Sequence, residues 1–398
     1  MLDENDHRNL GKRLDLFHLQ EEAPGMVFWH PRGFALYREL EDAVRRQMAR
    51  EGFREVRTPQ ILRQSIWEAS GHWQSFSADM FVLSDDERAS ALKPVSCPGH
   101  LQIVERMAPS YRDLPLRLGE LGLVHRNEAS GTLHGLFRLR QFTQDDGHIF
   151  CEESQIGAEV ARFCASLRRF YEALGFAEIA VGFSTRPPVR AGSDEIWDRA
   201  EAALRAAAQG AGLDYVEQPG QGAFYGPKLE FVLRDCLGRS WQCGTIQLDF
   251  VLPERFGVRY VDATGAKRPP VMLHRATLGS LERFLGVLLE HHAGALPAWL
   301  APDQVVVAPV TEAHRAYADR VLAALHASRV RAELDGRTET LARKIVDAHA
   351  AGVPFFIVVG AREAERVAVT IRDRHGARRE LPLEAGVAEL ARACQPPA

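Results

Sequence analysis

The stretch from Glu120 to Phe150, ELGLVHRNEASGTLHGLFRLRQFTQDDGHIF, limits the possible folds of this chain more than any other. Apolar and β-branched residues lead up to Val124. Arg126 and Glu128 then stand two apart, a spacing that on a strand points both side chains at one face. Ala129 to Gly135 contains Ser, His and two Gly, the composition of a hairpin connection lying over something polar. Arg138, Arg140 and Phe142 return at strand spacing. The expectation is an antiparallel pair whose common face carries guanidinium groups, a carboxylate and an aromatic plane. Such a face suits a nucleoside triphosphate, because arginine forks take phosphate oxygens two at a time and a ring can stack on a base. Any one of these residues alone would more simply be a salt-bridged surface position.

The segment resembles motif 2 of the class II aminoacyl-tRNA synthetases, and TQDDGHIF resembles the threonyl-tRNA synthetases in particular. The resemblance implies an α+β catalytic domain, an antiparallel sheet flanked by helices, over residues 1–298. A small α/β anticodon-binding-like domain would follow over 299–398. The family holds phosphate on a sheet, so the lack of a Walker or Rossmann fingerprint is expected.

The 398 residues suffice for two or three domains, and 46% hydrophobic with 26% charged residues is ordinary for a soluble globular protein. No apolar run reaches membrane-spanning length and the polar start MLDENDHRNLGKRLDLF has no signal-peptide core, so the chain reads as cytoplasmic with no membrane partner. The formal charge of −4 gives no global sign of nucleic-acid binding, so an RNA partner must be met by local patches. Six cysteines without a CxxC argue for reduced thiols, with at most one or two used chemically.

In chain order, Leu36, Leu40, Val44 and Met48 form a helical core stripe. GFREVRTPQIL (Gly52 to Leu62) resembles motif 1, a helix leading into a strand; in the family this element builds a homodimer interface. SGHW reads as a loop with an anchoring tryptophan, where a lone His is more often structural. By resemblance His72 lies beside the terminal ribose of tRNA and assists transfer, as an imidazole near neutrality can. Cys97, in KPVSCPGH, reads alone as a small buried hydrophobe. By resemblance Cys97, His148 and His274 hold one Zn2+ per chain, although their separations match no metal-site spacing. Three protein ligands would leave the ion open to the amino and hydroxyl groups of L-threonine, and valine, lacking the oxygen, would be refused.

Residues 154–174 form an amphipathic helix, and Ser193 with Asp194 begins another. GAFYGPKLEF is a turn followed by a strand. The resemblance puts Tyr225 beside the amino acid and Lys228 beside the nucleotide, against the bland reading of an exposed turn. In the strand SWQCGTIQLDF, Gly244 suggests close approach of the backbone to a ligand. Gly279 to Arg283 resembles motif 3, whose arginine meets ATP; an unpaired Arg at so apolar a helix start would be costly to bury. The implied roles are catalytic for Arg126, Arg283, His72 and Lys228. ATP, accompanied by Mg2+, would be held by Arg126, Glu128, Arg138, Phe142, Gln242, Thr245, Ser280 and Arg283. Gln144, Asp146, Tyr225 and Gln247 would hold the amino acid.

Beyond a proline-containing linker at Leu296 to Pro302, QVVVAPV, a helix to Ser328, VRAELD, a helix to Ala350, PFFIVVG and RVAVTIR alternate as in a small α/β domain. Glu363 matches the family's anticodon domain. Thr338 stands where Asn is usual, Thr370 where Arg is usual, and Leu341-Ala342-Arg343 replaces a Gly-aromatic pattern. In the catalytic part Val95 and Ser96 replace Met and Asn. The leading expectation is ATP-dependent formation of threonyl-adenylate and transfer to tRNA(Thr), in a chain that starts at the catalytic part and does not correct serine in cis. One rival is a threonine-activating paralogue that loads a carrier protein or small molecule. The other is a non-enzymatic RNA-binding regulator.

Overall fold

The computed structural model describes residues 3–85 and 88–396. Contacts divide the chain into two compact units, one of Leu19–Met26 with Val44–Val287, the other of the segment up to His18, Val27–Ala43 and everything from Leu288 onward.

The first unit is built on an eight-stranded sheet. Its strands are β1 (Arg54–Glu55), β2 (Leu116–His125), β3 (Gln141–Cys151), β4 (Ala180–Ser184), β5 (Val216–Gln218), β6 (Lys228–Arg234), β7 (Ser240–Asp249) and β8 (Val271–Ala276), in the order β5-β4-β6-β7-β8-β3-β2-β1. The six central strands are antiparallel, and only the edge pairs β5–β4 and β1–β2 are parallel. The Gly52–Leu62 segment, expected to be a helix leading into a strand, contains no helix and gives this sheet only the two residues Arg54–Glu55 before a strand of another sheet begins at Ile61. One face of the sheet is sealed by helix α1 (Ile156–Ala173): Phe163 meets Phe231 edge-on at 5.8 Å, and the Tyr171 hydroxyl donates to the Thr277 carbonyl at 2.6 Å. Gly244 belongs to this packing. A Cβ there would stand 2.4 Å from the Leu167 side chain. The glycine therefore makes room for α1 rather than for a ligand, which corrects the sequence expectation. Helix α2 (Asp194–Gly210) starts as expected, with Ser193 accepting from the Ile196 N–H. A shorter helix, α3 (Cys97–Met107), packs Leu101 and Val104 against Leu116, Leu118, Phe150 and Met272, which fixes Cys97 over the strands.

The hairpin of β2 and β3 is shorter than its spacing suggests. β2 ends at His125 and β3 begins at Gln141, so Arg126, Glu128, Arg138 and Arg140 lie off the ladder. The Arg126 N–H still donates to the Arg140 carbonyl at 2.8 Å, but the Glu128 N–H turns back onto the Arg126 carbonyl. The Arg140 guanidinium is spent inside the loop, on the Glu128 carbonyl and the Ser130 hydroxyl. It is a loop brace, not the second half of a phosphate fork.

In the second unit, β9 (Val305–Pro309), β10 (Ala332–Leu334), β11 (Phe355–Val359), β12 (Ala368–Asp373) and β13 (Arg378–Pro382) form a sheet in the order β10-β9-β11-β12-β13. One face buries Val305, Val307, Ile357 and Ile371 with Val321 and Leu325, and with Val387 and Leu390 of a final helix, Leu383–Ala393. The other packs Ala308 and Phe356 with Ala348. The closing strand and helix extend the α/β pattern expected from sequence. No helix among the described residues is long and apolar enough to cross a membrane.

Candidate functional site

Because side chains alternate along a strand and face their cross-strand neighbours, register alone collects most of the expected residues on the sheet face opposite α1. His148 on β3 lies opposite His274 on β8, His274 opposite Gln247 on β7, and Gln247 opposite Lys228 on β6. Phe142, Gln144 and Asp146 share the parity of His148, and Thr245 and Asp249 that of Gln247. A bulge opposite Phe231/Val232 shifts the count by one, so Gln242 pairs with Val232 and stays on the same face as Lys228. The Lys228 ammonium pairs with Glu230.

Cys97, His148 and His274, remote in sequence, come together here: one donor atom from each lies within 4.8 Å of the others, and all three residues are buried. His148 Nε2 is 3.0 Å from His274 Nδ1, and Asp146 Oδ1 is 3.5 Å from the same Nε2. The far nitrogens are also engaged, His274 Nε2 at 3.0 Å from Asp249 Oδ2 and His148 Nδ1 at 2.8 Å from His100 Nδ1. Burial, then the Asp146 and Asp249 carboxylates, push the Cys97 thiol well above its ordinary range. Burial, then His100 and His274, push His148 well down. A cation among the three would reverse the thiol's preference and use the imidazoles in the neutral form that ligation requires. One sulfur and two imidazoles are a donor set that a zinc ion takes with a coordination position left over. Tyr225 stacks on His274 with ring centroids 4.7 Å apart and its hydroxyl donates to Gln247. It is in place because Gly226 follows it: a Cβ at Gly226 would lie 1.9 Å from the Leu248 carbonyl oxygen. Ser96 is buried beside Cys97, and its hydroxyl oxygen has no partner among the described residues.

Two guanidinium groups flank this cluster. Arg126 donates from Nε to the Pro94 carbonyl at 3.2 Å and lies over the Phe142 ring at 5.2 Å. Arg283 donates to the carbonyls of Phe137 and Gln242, at 2.9 and 3.1 Å. Burial first, and then Arg283, lower the pKa of Arg126; burial, opposed by Cys243 and assisted by Arg138, lowers that of Arg283. Glu128 opposes the shift at both arginines. The two guanidinium groups are half-buried, and the charge of Arg283 disfavours that of Arg126, so the pair favours a bound anion. Arg138 itself is exposed. Ser280 bridges to Gln144 and its hydroxyl donates to Glu282, whose carboxylate also accepts the Thr143 N–H.

His72 is buried on a short helix, His72–Phe76, with Nδ1 2.8 Å from the Ser70 hydroxyl and its ring 6.4 Å from that of Tyr225. Burial first, then the charges of His274, Arg126 and Arg255, push it down to about 3, so it stays neutral near pH 7 but is a weaker base than the near-neutral imidazole expected from the sequence. Glu363 lies in the other unit, where its carboxylate accepts the Gly360 N–H at 2.9 Å and the Thr370 hydroxyl at 2.8 Å.

Sequence reasoning missed Asp249, His100, Glu120, Lys93 and Asp145. Asp249 was within reach, standing two residues beyond Gln247 on one strand. His100 follows Cys97 by one helical turn. Asp145 faces away from the site and accepts the N–H groups of Thr277, Leu278 and Gly279 at 2.6, 3.0 and 2.9 Å. It thereby shapes the turn that delivers Ser280 and Arg283.

Residues 80–292 match the family described as the tRNA synthetase class II core domain (G, H, P, S and T), and residues 304–393 match the anticodon binding domain. The threonine–tRNA ligase of Rhodospirillum rubrum is 54% identical over 390 residues, 98% of this chain and 61% of its own length. That of Cupriavidus pinatubonensis is 54% identical over 94% of this chain and 59% of its own. The chain thus spans about three fifths of the length of the curated relatives it matches. Among solved structures, the RNA binding domain of threonyl-tRNA synthetase from Cryptosporidium parvum superposes with a TM-score of 0.92 at 40% identity, covering 99% of both chains.

Proposed function

Since this chain belongs to the class II aminoacyl-tRNA synthetases, and among them to the threonyl-tRNA synthetases, we propose that it activates L-threonine with ATP and passes it to the 3′ end of tRNA(Thr). The observation that carries the proposal is the juxtaposition, over one sheet face, of the Cys97, His148 and His274 donors with two half-buried guanidinium groups, Arg126 and Arg283, whose charge burial disfavours. ATP, with its accompanying Mg2+, lies along Arg126, Glu128, Arg138 and Arg283, with adenine on Phe142 and further contacts from Gln242, Thr245, Ser280 and Lys228. The threonine carboxylate attacks the α-phosphate, forming threonyl-adenylate as the α–β phosphoanhydride bond breaks and pyrophosphate leaves. Arg126 and Arg283, fixed by backbone carbonyls, meet the charge that develops there without reorganising. Asp146 holds the amino group, and Gln144, Tyr225 and Gln247 shape the amino-acid pocket. His72, neutral and oriented by Ser70, takes the proton of the ribose hydroxyl during transfer. Cys97, His148 and His274 would hold a zinc ion, which would supply a Lewis-acidic contact for the side-chain hydroxyl that threonine has and valine lacks.

A division at 298/299 into catalytic and anticodon-binding parts, a homodimer built through motif 1, and a cytoplasmic location go with this reading. One observation favours the second reading, a non-tRNA acceptor. The Glu363 carboxylate is already engaged by Gly360 and Thr370, which leaves it less free to meet a base.

ATP–pyrophosphate exchange across amino acids, with metal analysis of the purified protein, tests the proposal. Threonine should drive exchange in material holding one zinc per chain. Serine, lacking one methyl group, should follow within roughly 10- to 200-fold, and valine should give none. Zinc-free active protein, or valine turned over as fast as threonine, would overturn it.

A further inference from the structure

Each imidazole of the donor cluster has two nitrogens, and the second one carries information. His148 Nε2 and His274 Nδ1 face each other at 3.0 Å, so these are the atoms a shared ion takes. His274 turns its other nitrogen to a carboxylate, Asp249 Oδ2. His148 turns its other nitrogen to a second imidazole, Nδ1 of His100, at 2.8 Å. Two ring nitrogens at that separation share one proton, one donating and the other accepting. A His148 that gives its Nε2 lone pair to a cation keeps its proton on Nδ1, so His148 donates and His100 Nδ1 accepts. That assigns the His100 proton to Nε2, which lies 3.2 Å from Glu120 Oε2.

The chain of contacts ends in a fully buried set. Glu120 accepts from Lys93 Nζ at 2.8 Å and from the Thr58 N–H and hydroxyl at 2.9 and 2.8 Å. Lys93 also donates to the Thr58 hydroxyl oxygen at 2.9 Å. Lys93 and His100 are wholly inaccessible and Glu120 is 2% exposed. Apolar side chains of equal volume would pack as well as a buried Lys–Glu pair, or better. What the pair adds here is a carboxylate held in one place, facing His100.

We propose that His100 is a positioning residue for the metal centre. Backed by Glu120 and Lys93, it fixes the tautomer and ring plane of His148, and relays through an imidazole the support that Asp249 gives His274 directly. The His100 and His148 rings stand perpendicular with centroids 4.7 Å apart, so rotation of either breaks the relay. The inference rests on the cluster being a metal site, and the test separates the two.

Metal-stripped protein is titrated with Co2+, following the thiolate charge-transfer and d–d bands, and Zn2+ affinity is measured by competition. The wild type should bind one equivalent, and Cys97→Ser should lose the charge-transfer band. His100→Leu, which removes the acceptor, should bind about 10- to 100-fold more weakly with a shifted d–d spectrum. His100→Asn, which places an amide oxygen near the former Nδ1, should recover part of both and serves alone should H100L not fold. Wild-type affinity and spectrum in these variants would overturn the relay while leaving the metal site standing. A wild type that takes up no ion would overturn the metal site, and the relay with it.

Discussion

The His72 imidazole protonates far below the working range, so the role proposed for it in transfer should not titrate between pH 5 and 8. His72→Ala should leave threonine-dependent pyrophosphate exchange within a few-fold of the wild type, yet slow transfer to tRNA by the roughly 10²- to 10⁴-fold typical of a lost general base. Equal loss in both half-reactions would place His72 in the activation step instead. Glu120 gives a pH dependence of stability. Burial raises its pKa, but hydrogen bonds from His100, Lys93 and Thr58 outweigh this and hold it down to about 2, against an ordinary 4.5. The native state therefore binds this proton less readily than the unfolded chain. The stabilisation is complete above pH 4.5 and is lost as pH falls toward 2, amounting to roughly 3 kcal/mol. Glu120→Gln should flatten that part of the acid-unfolding profile; an unchanged profile would show that the carboxylate titrates normally.

Gly279 belongs to the turn between β8 and the helix Leu281–His291, at φ +79°, with space for no Cβ: one would sit 2.5 Å from the Cys243 carbonyl oxygen. Gly279→Ala should destabilise by more than about 1 to 3 kcal/mol, since backbone strain and collision add, and should depress exchange by displacing Arg283. Retained melting temperature and activity would mean the turn relaxes freely. Strongly periodic elements were legible in the sequence: the stripe Leu36, Leu40, Val44 and Met48 is buried, and the alternation Phe142, Gln144, Asp146, His148 does share a face. The arginine-rich segment from Arg126 to Arg140 was misread because two-residue spacing imitates a strand even where β2 and β3 have ended and only isolated backbone contacts, such as Arg126 to Arg140, continue. Within the Lys93–Glu120–His100 set only the helical spacing of His100 from Cys97 left a signal, since Lys93 in the loop before α3, His100 on α3 and Glu120 on β2 are joined by no local pattern. Gly244 misled for the same reason: Leu167, which fills its vacant side, is remote in sequence.

At the scale of the whole chain, the overall charge of −4 leaves RNA binding to local surfaces, and in the second unit the expected contact residue is already occupied. With Glu363 held by Thr370 and Gly360, substituting single anticodon bases in a tRNA(Thr) transcript should change charging by less than about tenfold, where a directly read base costs about 1 to 3 kcal/mol. A drop of a hundredfold or more would show that other side chains of this unit read the anticodon. The adjacent carboxylates Asp145 and Asp146 have opposite duties, one pinning a turn behind the sheet and the other facing the donor cluster. Point changes at Phe142, Gln144 or Asp146 can therefore diversify the pocket while the framework stays put. Inserting or deleting a single codon within this strand would exchange scaffold for pocket along its whole length, so laboratory evolution of substrate choice has substitutions open to it here and indels closed.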